Sequence, residues 1–267
     1  MTNLSDCKIL IRGAGEMASG VAVCLIHSGF KVVMTEIAEP LCVRRAVSFC
    51  EAIRHDRMKV EGLEAVLVRS PSDVFPAWDQ GLTAVLIDPE MICLPVIRPD
   101  VLVEATLAKR NMGLRRDMAE LVIALGPGFS AGRDADIVVE TNRGHNLGRL
   151  MTQGEAEPNT GRPGVIHGED LRRVLRAPTD GVLETDLEIG VSVQAGQAVA
   201  RVADRPIHSE LQGVLRGLIQ PGIKVWSGLK VGDIDPRGRP DFVTTVSDKA
   251  RAIGGAVLTA ILHHWNR

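Results

Sequence analysis

The sequence predicts an α/β protein in three parts: a parallel-sheet domain, a smaller all-β module and a closing helix. Three observations carry this reading. Unbroken apolar runs alternate with helical patterns through the first half of the 267 residues, a glycine-marked internal repeat follows, and a capped amphipathic stretch comes last. The corresponding spans are 1–150, 165–240 and 246–265, and a chain of this length accommodates two cores.

In the first span, Cys7 to Arg12 is a short β-type run, followed by Gly13-Ala14-Gly15-Glu16-Met17-Ala18 and the apolar helical pattern of Val21 to Ile26. In a strand, glycine turn and helix of this kind, Gly13 permits the tight turn and Gly15 lets backbone approach a phosphate. Ala18 allows close helix–strand packing, which leaves a helix N-terminus aimed at an anion. A second run, Lys31 to Thr35, ends in Glu36, 21 residues past Gly15. An acid at that position bonds a ribose 2′-hydroxyl and repels a 2′-phosphate. These features imply a Rossmann-like domain holding NAD or another adenine nucleotide on Gly13, Ala14, Gly15, Glu16, Met17, Ala18 and Glu36.

The runs Ala65–Val68, Ala84–Ile87 and Val101–Val103 are continuous rather than alternating, as strands buried on both faces of a parallel sheet are. Asp88 and Glu104 follow two of these runs and, with Lys109 downstream, are candidates for the same crevice; each also fits a turn or a solvated helix face. Arg44 and Arg45 are expected on an exposed helix. Leu121 to Leu125 then runs into Gly126-Pro127-Gly128-Phe129, and Ala135 to Val139 into Glu140-Thr141-Asn142-Arg143-Gly144-His145. Such elbows expose N–H groups that nest an anion, with a guanidinium fork and an imidazole beside them. Gly126, Gly128, Arg143 and His145 therefore form a second candidate surface, and plain sheet turns are the alternative.

The second span opens after a polar, Gly/Pro-rich linker at 151–164. Gly213, Val214, Leu215, Gly222, Val225, Gly228 and Val231 each stand 32 residues after Gly181, Val182, Leu183, Gly190, Val193, Gly196 and Val199. One copy alone exposes a strand edge, whereas two copies bury each other's apolar faces. The spacing resembles the biotinyl/lipoyl-type barrel-sandwich hybrid. Its carrier lysine is missing, because no Lys occurs between Gly181 and Gly213; a structural or docking module is expected instead. Ser247 caps the last helix, in which Gly254-Gly255 would persist mainly where another backbone packs close, so the helix is expected to dock, with the first domain as one candidate surface.

Lys+Arg 31 against Asp+Glu 33 gives a formal net charge of -2. No basic patch for nucleic acid or lipid is visible. Five cysteines without a Cys-x-x-Cys pair, and a start at residues 1–6 unlike a signal peptide, read as a reduced cytoplasmic protein. No apolar stretch reaches spanning length. His263-His264 has no accompanying ligand cluster, so no metal is expected.

Taken in order, Arg12-Gly13-Ala14-Gly15, Thr35-Glu36, Leu125-Gly126-Pro127-Gly128-Phe129, Glu140 to His145, Lys230-Val231-Gly232-Asp233-Ile234-Asp235-Pro236-Arg237 and Ser247-Asp248-Lys249-Ala250 resemble the YqeB-type family of selenium-dependent molybdenum hydroxylase accessory proteins. The resemblance covers nearly the whole chain. It implies a cytoplasmic maturation factor that binds a nucleotide or a molybdopterin-type cofactor, linked to selenium insertion. Its partners would be a client molybdenum hydroxylase or other maturation proteins, and a homo-oligomer is compatible. The resemblance supplies no catalytic residues. The competing class is an NAD-dependent oxidoreductase acting on a small molecule, with Asp88, Lys109 or His145 as acid or base.

Overall fold

A computed structural model describes residues 6–266; residues 1–5, on which the signal-peptide reading rests, lie outside them. The chain forms two compact units. Among the described residues the first comprises 6–38, 48–160 and 246–266, and the second 39–47 and 161–245. The first span, read as continuous over 1–150, is thus interrupted by nine residues, 39–47, that pack in the second unit.

The first unit is built on a nine-stranded sheet. Its strands are β1 (Lys8–Arg12), β2 (Lys31–Glu36), β3 (Arg57–Val60), β4 (Leu63–Val68), β5 (Thr83–Ile87), β6 (Val101–Glu104), β7 (Leu121–Leu125), β9 (Ile137–Val139) and β10 (Leu150–Met151). A separate two-stranded ribbon pairs β8 (Ser130–Ala131) with β11 (Gly154–Glu155). The order across the large sheet is β10-β9-β7-β6-β1-β2-β5-β4-β3, parallel except for the two outermost strands. Among the described residues one longer helix, α1 (Glu16–His27), and three short ones, α2 (Ala52–His55), α3 (Val74–Asp79) and α4 (Leu94–Ile97), lie in the connections. Leu10, Val33, Leu102 and Val122 share one buried cluster with Val74, Ala77 and Ile97 of α3 and α4. The chain runs outward from β1 in two directions, through β2 and through β6, so its order reverses between β1 and β6. In open parallel sheets the crevice for a ligand lies beyond the strand ends at such a reversal.

The last helix, α5 (Asp248–Trp265), returns to this unit and packs on α1. Ser247 caps it by accepting the Ala250 N–H. The contact is close because small residues face each other. A Cβ on Gly20 would come within 2.6 Å of the Ala250 Cβ, and one on Gly254 within 2.9 Å of the Gly20 carbonyl oxygen. Gly255, by contrast, faces open space.

The second unit is two four-stranded antiparallel sheets, formed by β12 (Val174–Arg176), β13 (Gly181–Glu184), β14 (Ser192–Val193), β15 (Ala198–Val202), β16 (Arg205–His208), β17 (Gly213–Leu218), β18 (Lys224–Val225) and β19 (Lys230–Asp235). Their orders are β12-β19-β17-β14 and β16-β15-β13-β18. The first four strands and the last four are the two copies of the repeat, which reaches back to β12 and β16, upstream of the first marker glycines. Each sheet takes two strands from each copy, and Leu183, Val193, Val202, Leu215, Val225 and Ile234 close one core between the sheets. Neither copy has a complete sheet of its own.

Beneath that core edge lie buried charges. Asp235, 1% exposed, takes a bidentate pair from Arg237 (2.9 and 2.6 Å) and faces Arg216 at 3.5 Å. Asp233 pairs with Arg173. Burial alone would push the Asp235 carboxyl up, but hydrogen bonds from Arg237 and the charge of Arg216 outweigh it and hold the carboxyl below its ordinary range.

Two predictions follow from this packing. Gly254→Ala should cost about 1–3 kcal/mol through overpacking against α1, whereas Gly255→Ala should stabilise by about 0.5–1 kcal/mol through helix propensity. Urea unfolding of both variants checks this, and equal effects would contradict the contact. Because the folded Asp235 carboxyl is depressed, its contribution is fully present above the ordinary carboxylate value of about 4 and is lost as pH falls through the depressed one. Asp235→Asn should cost about 3–5 kcal/mol at neutral pH by breaking a buried charge pairing and should flatten the acid limb of the stability curve; an unchanged limb rejects the assignment.

Candidate functional site

The glycine loop lies at the carboxyl end of β1, between the ends of β2 and β6. Gly13 has φ +99°, and a Cβ there would press on the Ala105–Thr106 backbone at 3.2 Å. Its N–H donates to the Thr35 carbonyl at 2.7 Å. Gly15 is the N-cap of α1, in extended conformation and without a side-chain cap bond, so the leading N–H groups of Glu16, Met17 and Ala18 belong to a first turn that has no carbonyl partner within the helix. Gly15, Glu16 and Met17 reach the surface, while Gly13, Ala14 and Ala18 are buried.

Glu36 is beside this loop. One carboxylate oxygen accepts the Ala14 N–H and the other the Ile37 N–H, each at 2.9 Å. Burial nevertheless pushes its carboxyl above the ordinary range, the two backbone bonds and the Glu104 charge being smaller effects. Ile87 stands opposite Glu36 in the β2–β5 register, and Ile37 and Ile87 are both exposed. An acid, a helix N-terminus and two exposed isoleucines thus surround one stretch of sheet edge.

The ends of β1 and β6 are joined by a buried ion pair between Arg12 and Glu104, at 3.1 Å and with side chains 7% and 0% exposed. Arg12 also donates to the carbonyls of Pro89 and Met112, and Glu104 accepts from the Thr106 N–H and hydroxyl. The Arg12–Glu104 pair therefore braces two loops, those after β5 and β6. Sequence reading left Glu104 between the crevice and a solvated helix face; the signal missed was Arg12, whose charge inside an apolar strand requires a buried partner.

The remaining candidates are spread out. Asp88 accepts the Ile92 and Cys93 N–H groups, both at 2.8 Å, so it holds the turn into α4. Lys109 is exposed on a turn with φ +62°. A Cβ on Gly128 would collide with the Lys109–Arg110 backbone, and one on Gly126 with the Thr141 hydroxyl. These glycines thus allow segments to touch, and the two elbows adjoin at Gly126 and Thr141. Arg143 turns away to a bidentate pair with Asp248 at the start of α5, at 2.5 and 2.7 Å, and His145 is exposed. Of the expected second surface of Gly126, Gly128, Arg143 and His145, packing and an ion pair engage three of the four. Arg44 and Arg45 are not on an exposed helix either. Arg44 is buried and donates to the carbonyls of Phe242, Val243 and Thr245. Cys7 and Cys93 are buried thiols; burial, with nearby carboxylate charge, pushes Cys7 up to about 12 and Cys93 higher still, which leaves neither a thiolate near neutral pH.

The chain is 46% identical over 254 residues to the uncharacterized protein YqeB of Escherichia coli (strain K12), a match that takes in 95% of this chain and 47% of the relative. It supports the YqeB kinship that the motifs pointed to, and the chain spans about half that relative's length. No protein-family model matches. Among solved structures, an aspartoacylase family protein from Mesorhizobium loti aligns over 88% of this chain and 87% of its own at 11% identity and TM-score 0.29. The ectoine utilization protein EutE (DoeB) from Ruegeria pomeroyi aligns over 88% and 86% at 13% identity and TM-score 0.30. Similarity at that level carries no argument about this chain.

The Arg143–Asp248 pair is partly exposed, at 27% and 73% for the two side chains, so each single truncation should cost about 0.5–1 kcal/mol. A double-mutant cycle with Arg143→Ala and Asp248→Ala read by urea unfolding should show coupling, and simple additivity would mean that the pair contributes nothing.

Proposed function

We propose that the Gly13–Ala18 loop binds the phosphates of an adenine nucleotide or a pterin-type cofactor, and that the protein acts in maturation of a molybdenum hydroxylase. The supporting observation is positional: the glycine loop and the N-terminus of α1 stand at the β1–β6 reversal of a largely parallel sheet, with Glu36 in bonding range of the loop. A Rossmann-like reading expects this arrangement. Both oxygens of Glu36 already accept a backbone N–H, and each keeps a further acceptor direction for a ribose hydroxyl. Ile37 and Ile87 offer an apolar surface for a flat base next to that acid. The motif resemblance supports the maturation role and the selenium link. The second unit, read as a barrel-sandwich module without a carrier lysine, serves as its docking part.

Calorimetry with NAD, NADP and ATP tests the binding step. NAD should bind at millimolar concentration or tighter, and Glu36→Ala should weaken NAD more than NADP. Gly15→Leu should reduce binding by roughly ten- to a hundredfold through lost charged hydrogen bonds. It should leave the fold intact, because Gly15 has φ -73°, which any residue adopts. Absence of binding by all three nucleotides retires the nucleotide reading. In cells, loss of the Gly15→Leu protein's support for a client molybdenum hydroxylase would tie binding to maturation, and unaffected client activity would sever the two.

A further inference from the structure

We propose that residues 37–49 form a strap that couples the state of the glycine loop to its seat in the second unit. The proposal rests on the nucleotide reading for its ligand and on geometry for the coupling. Both ends of the strap are bonded to one residue of the loop. At the upstream end Glu36 accepts the Ala14 N–H at 2.9 Å and the Ile37 N–H at 2.9 Å. At the downstream end the Cys50 N–H donates to the Ala14 carbonyl at 2.9 Å. The Phe49 N–H donates to the Ser19 hydroxyl at 2.8 Å, which in turn donates to the same Ala14 carbonyl at 3.0 Å. Ala14 is therefore held on its N–H and on its C=O by the two ends of a single excursion.

The middle of the excursion belongs to the second unit. Leu41 and Val43 pack on that unit's core. Gly217 supplies the notch, since a Cβ there would meet the Val43 carbonyl at 2.6 Å. Arg45 donates to the Leu218 carbonyl at 2.8 Å. Arg44 holds the carbonyls of Phe242, Val243 and Thr245, the last of which immediately precedes the chain's return to the first unit at Val246. The outgoing and returning segments are thus pinned together by one guanidinium.

An anion arriving at the accessible Gly15–Met17 turn brings negative charge beside the Glu36 carboxylate, and two negative charges repel at that range. Binding therefore weakens the Glu36 bond to the Ala14 N–H, turns the carboxylate toward the ribose hydroxyl and loosens the residue that starts the strap. Linkage is reciprocal, so weakening the strap's seat in the second unit must tighten the anion by the same factor.

Hydrogen–deuterium exchange on the full chain, with ADP as the probe, reads both directions. ADP should raise exchange across 39–47 while lowering it across 13–18. Without ligand, Arg45→Ala should raise exchange at 13–18, and Glu36→Ala should raise it at 39–47. Arg45→Ala should also tighten ADP roughly three- to tenfold, a coupling of ordinary allosteric size. Should Arg45→Ala fail to fold, Arg45→Lys, which keeps the charge and loses the fork, replaces it. If neither ADP nor the three nucleotides of the calorimetry bind while the two ligand-free variants show reciprocal exchange, the nucleotide reading falls and the strap stands. If Arg45→Ala or Arg45→Lys leaves 13–18 unchanged and Glu36→Ala leaves 39–47 unchanged, the strap is overturned whatever ADP does.

Discussion

The carboxyl edge of the large sheet depends on the buried pairing of Arg12 with Glu104. Both charges are out of water, a position tolerable only when partner and hydrogen bonds are complete. Here they are shared between the turns after β5 and β6: Arg12 reaches the carbonyls of Pro89 and Met112, and Glu104 takes the Thr106 N–H and hydroxyl. Gly13 then lies flat on Ala105 and Thr106 because it has no side chain to prevent it. The position of the glycine loop is set from below by an ion pair and from the side by Glu36. The same geometry explains why the site presents Gly15, Glu16 and Met17 rather than the whole loop.

Much of this architecture was legible in the sequence. Continuous apolar runs marked β1, β2 and β4 to β7, because strands covered on both faces leave no polar alternation. The edge strand β3 escaped notice: Arg57 and Lys59 give it the polarity of a loop, as an outermost strand can carry. The repeat was visible through its glycines, yet its first strand in each copy, β12 and β16, has none and could be recognised only by its pairing. The seating of 39–47 in the second unit left no mark, since Leu41, Cys42 and Val43 look like any apolar start of a helix, and nothing in the local pattern records a partner more than 170 residues away at Gly217 and Leu218.

The site was legible in part for a comparable reason. Spacing located Glu36 beside the loop, since strand length and turn length together fix where β2 ends. Spacing could not separate glycines that bare an N–H for a ligand from glycines that let two segments touch. Gly126 and Gly128 are of the second kind. Nor does a sequence show that an acid is spent on capping, as Asp88 is at Ile92 and Cys93, or that an arginine fork is closed on Asp248.

The exchanged strands of the repeat bear on how the chain is made. On the ribosome 39–47 emerges long before β17, which provides its seat, and α1 emerges long before α5, which covers it. At about 5–20 residues per second, the interval between those two helices is roughly 10–40 s. During that time Gly20 and Cys24 of α1 lack the backbone that covers them. Neither half of the repeat closes a sheet early, so both units finish late and nearly together. Such an order of synthesis favours slow, non-local closure over stepwise folding of one domain after another.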